Sequence, residues 1–270
     1  MKEIVVNSFE HLQSLVFENC WEEHTKRYRN SFVYRGIPDA SYELVSKLNR
    51  ICSHDLSLEA SIIRSFKKYG YADVKDCNSF WQILAMGQHY GLPTRLLDWT
   101  YSPLVAAHFA TEDIYKYDRD GAIYCMDMLE GEKDLPECLA KELESSRAQS
   151  FTMAMIERHA TNLDEFESLS KKPFFIFYEP ASQSNRMSNQ YALFSMCSKK
   201  EYSIEDLIDF DNTSLYKLII PKEVKLEIRD KLDYINISER LIYPGLDGIC
   251  AWITRRYADL GEKYNEKKRG

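Results

Sequence analysis

The chain has no long apolar run. Its longest stretches, Leu104 to Ala107 and Phe174 to Tyr178, fall far short of the roughly 20 residues needed to cross a bilayer, so a membrane span is excluded. Met1-Lys2-Glu3 leads into a short β-like run broken by Asn7, without the apolar core or small-residue cleavage site of a signal peptide. Glycine and proline are sparse, at 10 and 8 residues of 270, and no repeat, low-complexity tract or Pro/Ser/Gly-rich linker divides the sequence. A single domain spanning 1–270 is therefore expected. Paired cysteine spacing is missing too. The seven cysteines are odd in number and lack CxxC spacing, which argues against a disulfide framework or a zinc site and for a reducing, cytoplasmic setting. Positive charge is in deficit, with a net charge of -7, and this weighs against affinity built on broad phosphate neutralisation. Several catalytic signatures are absent as well: there is no GxxxxGK[ST] loop, no GxGxxG after a strand, no GxSxG elbow and no HExxH.

What is present is an ordinary globular composition, 44 % hydrophobic and 29 % charged, rich in aromatics with 18 tyrosines. Periodicity predicts an amphipathic helix from Ser8 to about Arg27, with apolar Phe9, Leu12, Leu15 and Val16, and further helices over 57–69 and over 79–87, the latter stopped by Gly87. Ser102-Pro103 opens a helix through Ala110, since proline suits a first helical turn. Helices are also expected over 135–158, with a break, and over 222–232, and a turn at Tyr243-Pro244-Gly245-Leu246 interrupts 238–258. Strands are expected over 31–36, 94–99, 121–126, 173–178, 191–195 and 215–220. With helices early and strands late, the pattern reads as α+β with a mostly antiparallel or split sheet.

Three stretches mix polar, glycine and aromatic residues in ways a plain core does not require. They are Tyr34-Arg35-Gly36, the run from Gln88 to Thr100 (QHYGLPTRLLDWT), and Asn185 to Phe194. Together with Tyr243 to Gly248, and with Ser102-Pro103-Leu104 and the alanine-rich helix after it, they resemble the FRG-domain family, named for an [FY]RG tripeptide that reads YRG here. The resemblance spans about 32–253 and leaves the N-terminal helix and the charged C-terminal tail outside it. The family is met in prokaryotic and phage-conflict settings. The resemblance thus implies a toxin or anti-phage defence effector, with a cognate antitoxin among its expected partners.

Aromatic-Arg-Gly at a strand end also resembles the first motif of arginine-type ADP-ribosyltransferases, and Thr100-x-Ser102 looks like their Ser-Thr-Ser element. That likeness implies an α+β fold with an ADP-ribosyltransferase-like split sheet, NAD as substrate and transfer of ADP-ribose to a macromolecular acceptor. Under it Tyr34 packs beside nicotinamide, Arg35 contacts phosphate or ribose, and Gly36 pairs with the carboxamide. Thr94, Arg95 and Arg186 join the cofactor-binding set, and Thr100 and Ser102 orient ribose. Arg35, His89 and Gln190 form the catalytic set. The glutamate that such enzymes carry on a late strand is missing: the Asn189-Gln190-Tyr191 context offers the amide of Gln190 as a hydrogen-bonding substitute, with the carboxylates Glu179 and Asp98 as the alternatives.

Plainer readings stand beside these. Arg35 is either a ligand contact or a structural arginine paired with a carboxylate such as Asp98. His89, the histidine of the six set among polar residues, either moves a proton or satisfies a loop carbonyl. Arg95 either binds phosphate or fixes a neighbouring loop; three residues from Asp98 on a short strand, it should face the opposite side. Arg186 and Gln190 line a cleft or hold a turn. Trp99 reads as core, and the lysine-rich end at Lys263 and Lys267-Lys268-Arg269 as a solvated helix end. A non-catalytic nucleotide-, nucleic-acid- or protein-sensing module, and a hydrolase built on His89 and Asp98, are the alternatives in function.

Overall fold

The computed structural model describes residues 1–18, 20–180, 189–208 and 214–258. Among these, ten strands and twelve α-helices make an α+β fold around a mixed, mostly antiparallel eight-stranded sheet. In chain order they are β1 (Lys2–Val5), α1 (Phe9–Phe17), β2 (Trp21–Glu22), β3 (Arg27–Tyr28), β4 (Phe32–Ile37), α2 (Lys47–Ile51), α3 (Leu58–Tyr69), α4 (Tyr71–Val74) and α5 (Phe80–His89). Then follow β5 (Leu96–Thr100), α6 (Pro103–Thr111), β6 (Gly121–Asp127), α7 (Glu137–Ser146), β7 (Phe151–Thr152), α8 (Met153–Glu157) and α9 (Leu163–Ser168). The last are β8 (Phe175–Glu179), β9 (Ala192–Cys197), β10 (Leu215–Ile220), α10 (Lys222–Tyr234), α11 (Glu239–Ile242) and α12 (Leu246–Tyr257).

The sheet order is β1-β10-β6-β4-β5-β9-β8-β7, with parallel pairing confined to its two edges, β1–β10 and β7–β8. One sheet face is covered by a continuous core running from Val33, Ile37 and Tyr124 to Trp99, Phe177 and Leu193. The other face carries two separate cores. Helices α1, α6 and α10 pack on the β4–β6–β10 half through Leu12, Ala106, Ala107 and Ile228. Helices α5, α7, α8 and α9 pack on the β5–β9–β8 half through Trp81, Leu139, Ile156 and Phe166. The boundary between these two helical layers falls between β4 and β5.

Several local expectations are corrected. The first helix ends at Phe17, where its apolar stripe ends, and residues 21–28 form a small antiparallel ribbon whose turn places Lys26 at φ 54. Gly87 does not stop α5, which continues to His89; it is needed because a Cβ there would meet Leu92 Cδ2 at 2.8 Å. Helices and strands are interspersed, not segregated early and late: three of the central strands lie before residue 128. The 135–158 segment is two helices separated by the edge strand β7. All seven cysteines are free thiols, and no helix among the described residues is long and apolar enough to cross a membrane.

Candidate active site at the opening of the sheet

Strands β4 and β5 pair at a single position, Tyr34 opposite Thr100, whereas β4 pairs with β6 over all of Phe32–Ile37 and β5 with β9 over all of Leu96–Thr100. From that one point the two strands diverge along Arg35–Ile37 and Leu96–Trp99, opening a gap in the middle of the sheet. The alternation of side chains puts Tyr34, Gly36, Asp98 and Thr100 on the helical side and Arg35 on the side of the continuous core. Asp98 is mid-strand near the centre of an eight-stranded sheet, yet its side chain is 54 % exposed, and Arg35 retains 18 %. Central-strand residues are ordinarily covered, so this exposure marks the gap as an accessible site.

The Arg35 guanidinium reaches across the gap. Its Nη1 donates to the Asp98 carbonyl at 2.7 Å and lies 3.7 Å from Asp98 Oδ2. Burial pulls the Arg35 pKa below its ordinary value while the Asp98 charge pulls it back up, with Arg50 opposing. Helix α5 and the loop after it hold the carboxylate from the other side: Gln88 Nε2 donates to Asp98 Oδ2 at 2.7 Å, and Thr94 Oγ1 donates to Gln88 Oε1 at 2.6 Å. Thr94 is itself fixed because its hydroxyl accepts the Leu96 N–H at 3.2 Å. The result is a relay, Thr94 to Gln88 to Asp98, with Arg35 closing the far side. Tyr178, aligned with Asp98 through Phe194 in the register of β8, β9 and β5, has a buried hydroxyl with no hydrogen-bond partner among the described residues. Burial, and then the Asp98 charge, raise its pKa well above the ordinary value.

The structure thus brings Arg35 and Thr94 together with Gln88 and Asp98. It sets the remaining expected site residues in other surroundings. Tyr34 is buried beneath α6 with its hydroxyl accepting from Asn30 Nδ2 at 3.1 Å. Gly36 lies against α6, where a Cβ would come within 1.8 Å of the Ala106 carbonyl oxygen, so its missing side chain serves helix–strand contact. The Thr100 hydroxyl accepts the Ser102 N–H at 3.1 Å, and the Ser102 hydroxyl caps α6 by accepting the Val105 N–H at 3.3 Å. Tyr34, Thr100 and Ser102 thus sit at the closed end of the gap, and Gly36 is taken up by its contact with α6.

Arg95 precedes β5 and is enclosed by carboxylates. It bonds Glu59 at 2.5–3.1 Å, Glu167 at 2.8 Å and the Ser198 carbonyl at 2.9 Å. Burial disfavours its charge, but these two carboxylates outweigh burial and hold its pKa above the ordinary value. Of the two readings of Arg95, this geometry is the loop-fixing one, and Asp98 does not share its surroundings. His89 ends α5 with its ring edge-on to Tyr90 at 5.2 Å. Being the next residue after Gln88 on a helix, it is turned roughly 100° away from the relay. Gln190 donates to the Ile242 carbonyl at 3.3 Å and its neighbour Asn189 to the Leu241 carbonyl at 2.8 Å, tying the turn before β9 to α11. Glu179 accepts from Tyr101 at 2.7 Å and Ser150 at 2.9 Å. Arg186, like the basic residues at 263–269, lies outside the described residues.

Sequence reasoning left out Gln88 and Tyr178 as site residues. Gln88 had a signal, since it begins the QHYGLPTR run; Tyr178 sits in an apolar strand and had none. His108 was also overlooked. It is fully buried, with Nδ1 accepting from Arg229 at 2.5 Å and Nε2 donating to Glu112 at 3.1 Å, so His89 is not alone among the histidines in polar company. No curated protein and no solved structure matches the chain. Residues 30–119 match the family model of the FRG domain, and the chain carries an FRG domain over that segment, which contains Arg35, Gln88, Thr94 and Asp98.

Proposed function

We propose that the opening between β4 and β5 binds NAD, and that the domain is an ADP-ribosyltransferase-like enzyme passing ADP-ribose to a macromolecular acceptor as a toxin or anti-phage effector. One observation carries the reading: two halves of a mostly antiparallel sheet meet at a single residue pair, with a guanidinium and a half-exposed carboxylate where they part. A split sheet is what the resemblance to ADP-ribosyltransferases implies, and an accessible Arg–Asp pair at this opening is chemically suited to a dinucleotide. Arg35 offers charge-assisted donors to a pyrophosphate or ribose.

Transfer breaks the bond between the nicotinamide nitrogen and ribose C1′. The bonding pair leaves with neutral nicotinamide, positive charge develops on the ribose, and the acceptor nucleophile bonds to C1′ as its proton passes to a base. A fixed carboxylate facing the ribose stabilises that charge. We assign this role to Asp98: Gln88 and Arg35 orient it, and its Oδ1 takes no hydrogen bond among the described residues. Gln190 is a neutral amide turned to a carbonyl, and the Glu179 carboxylate is engaged by two hydroxyls.

The test is incubation with NAD labelled in its adenylate part together with mixed protein, RNA and DNA acceptors. The wild type should release nicotinamide and label an acceptor, Asp98→Asn should lower both by roughly 100-fold or more, and Gln190→Ala should change neither by much. Absence of both nicotinamide release and label would end the transferase reading. NAD binding without release would identify a sensing module, the alternative favoured by the neutral Gln190.

A further inference from the structure

A cavity of about 640 Å³ lies between α10, α11 and α12. A volume of this size lies in the range of small-molecule sites. Its rim holds Arg240 and Arg256, whose guanidinium carbons lie 4.2 and 5.1 Å from the centre of the Trp252 ring. Neither arginine makes an ion pair among the described residues. The neighbouring charges are differently disposed. Arg255 is bonded to Glu239 at 2.6 Å and to Asp233 at 2.7 Å, and Asp233 also accepts the Trp252 indole N–H at 3.2 Å. Asp230, 71 % exposed, stands 4.0 Å from Arg255.

Three consequences follow from this arrangement. The Asp233 and Arg255 bonds fix the indole, so the ring is a rigid platform. Stacking orients a guanidinium while leaving its in-plane N–H groups unused, which is how arginine presents a fork to phosphate. And the carboxylates nearest the ring are already committed: Asp233 accepts the indole N–H and, with Glu239, bonds Arg255, so Arg240 and Arg256 keep guanidinium donors for a ligand that brings its own negative charge. Tyr234, 91 % exposed at the same rim, adds an aromatic surface for a planar group.

We infer that this cavity is a binding site for a polyanionic phosphate ligand, gripped by Arg240 and Arg256 on the Trp252 platform. It lies apart from the sheet opening and does not depend on the NAD reading. The shared chemistry, adjacent phosphate groups, is offered both by a free polyphosphate chain and by the backbone of a single-stranded RNA.

The experiment is calorimetric titration of the full chain carrying Arg35→Met, which weakens anion binding at the sheet opening, with tripolyphosphate and separately with a short single-stranded RNA. Binding of at least one probe is expected, weakening as salt is raised. It should fall about tenfold or more with either Arg240→Gln or Arg256→Gln and vanish with both. Both arginines are exposed, so an unchanged melting temperature will accompany the loss. Stronger binding of tripolyphosphate identifies a free polyphosphate as the source, and stronger binding of RNA the nucleic acid. Failure of both probes to bind, or binding that survives the double substitution, overturns the inference.

Discussion

Two arginines on neighbouring segments make ion pairs of opposite character, and replacing each by methionine separates them. Arg95 and Glu59 are 4 % and 3 % exposed, and Glu167, at 28 %, closes the same cluster. Arg95→Met leaves a buried carboxylate without its partner, a change that costs about 3–5 kcal/mol. For a chain of this size about 1 kcal/mol moves the melting temperature by roughly 2–4 °C, so a drop on the order of 10 °C is expected. Arg35 pairs at 3.7 Å with an Asp98 that is 54 % exposed. Solvent and salt reduce such a pair to about 1 kcal/mol or less, and the single hydrogen bond to the Asp98 carbonyl adds about as much again. Arg35→Met should therefore lower the melting temperature by only a few degrees, about 1–2 kcal/mol. Thermal and urea unfolding of the two variants side by side makes the comparison. Equal destabilisation would refute the assignment of Arg95 to architecture and of Arg35 to an accessible site.

The remaining predictions concern packing and pH. Gly36→Ala forces α6 away from β4, since its Cβ would overlap the Ala106 carbonyl at 1.8 Å; a loss of about 3 kcal/mol or more in denaturant unfolding is expected, and no change would show that α6 moves freely. Asp39 is 5 % exposed and accepts from Ser41 and Arg119, which hold its pKa down to about 2. Its folded-state pKa is depressed, so the contribution, at most about 2 kcal/mol, is complete above the unfolded value and is lost as pH falls towards 2. The stability gap between wild type and Asp39→Asn should close over that window. Burial lowers the His108 pKa below 6.5, and its Nδ1 must stay unprotonated to accept from Arg229. The unfolded chain then takes up the proton first, so stability should fall as pH drops below about 6.5, and His108→Gln should flatten that dependence.

Much of the secondary structure was legible because period and caps coincide. Ser102-Pro103 set the start of α6, and the β-forming composition of Leu215–Ile220 with Pro221 after it gave β10 its bounds. What was not legible is tertiary. Tyr34, Arg35 and Gly36 read as one motif, yet a strand sends alternate side chains to opposite faces, so Tyr34 and Gly36 serve α6 while Arg35 alone reaches the gap. Arg95 looked as able as Arg35 to meet a ligand, because nothing in its own segment announces Glu59, 36 residues upstream, or Glu167. Asp98 was one of two candidate carboxylates, with Glu179, beside the amide Gln190; only the register of β5 and the reach of α5 set it beside Arg35 and Gln88. The charged contacts of His108 come from α10 and the end of its own helix, and its apolar sequence neighbours hid them.

Equilibrium NAD binding by calorimetry, on the full chain with and without Arg35→Met, bears most directly on the assigned role of the sheet opening. The account predicts one site per chain, weakened about tenfold or more by the substitution while Arg240→Gln with Arg256→Gln leaves it intact. Wild-type protein that takes up no NAD, or takes it up equally well without Arg35, would contradict it.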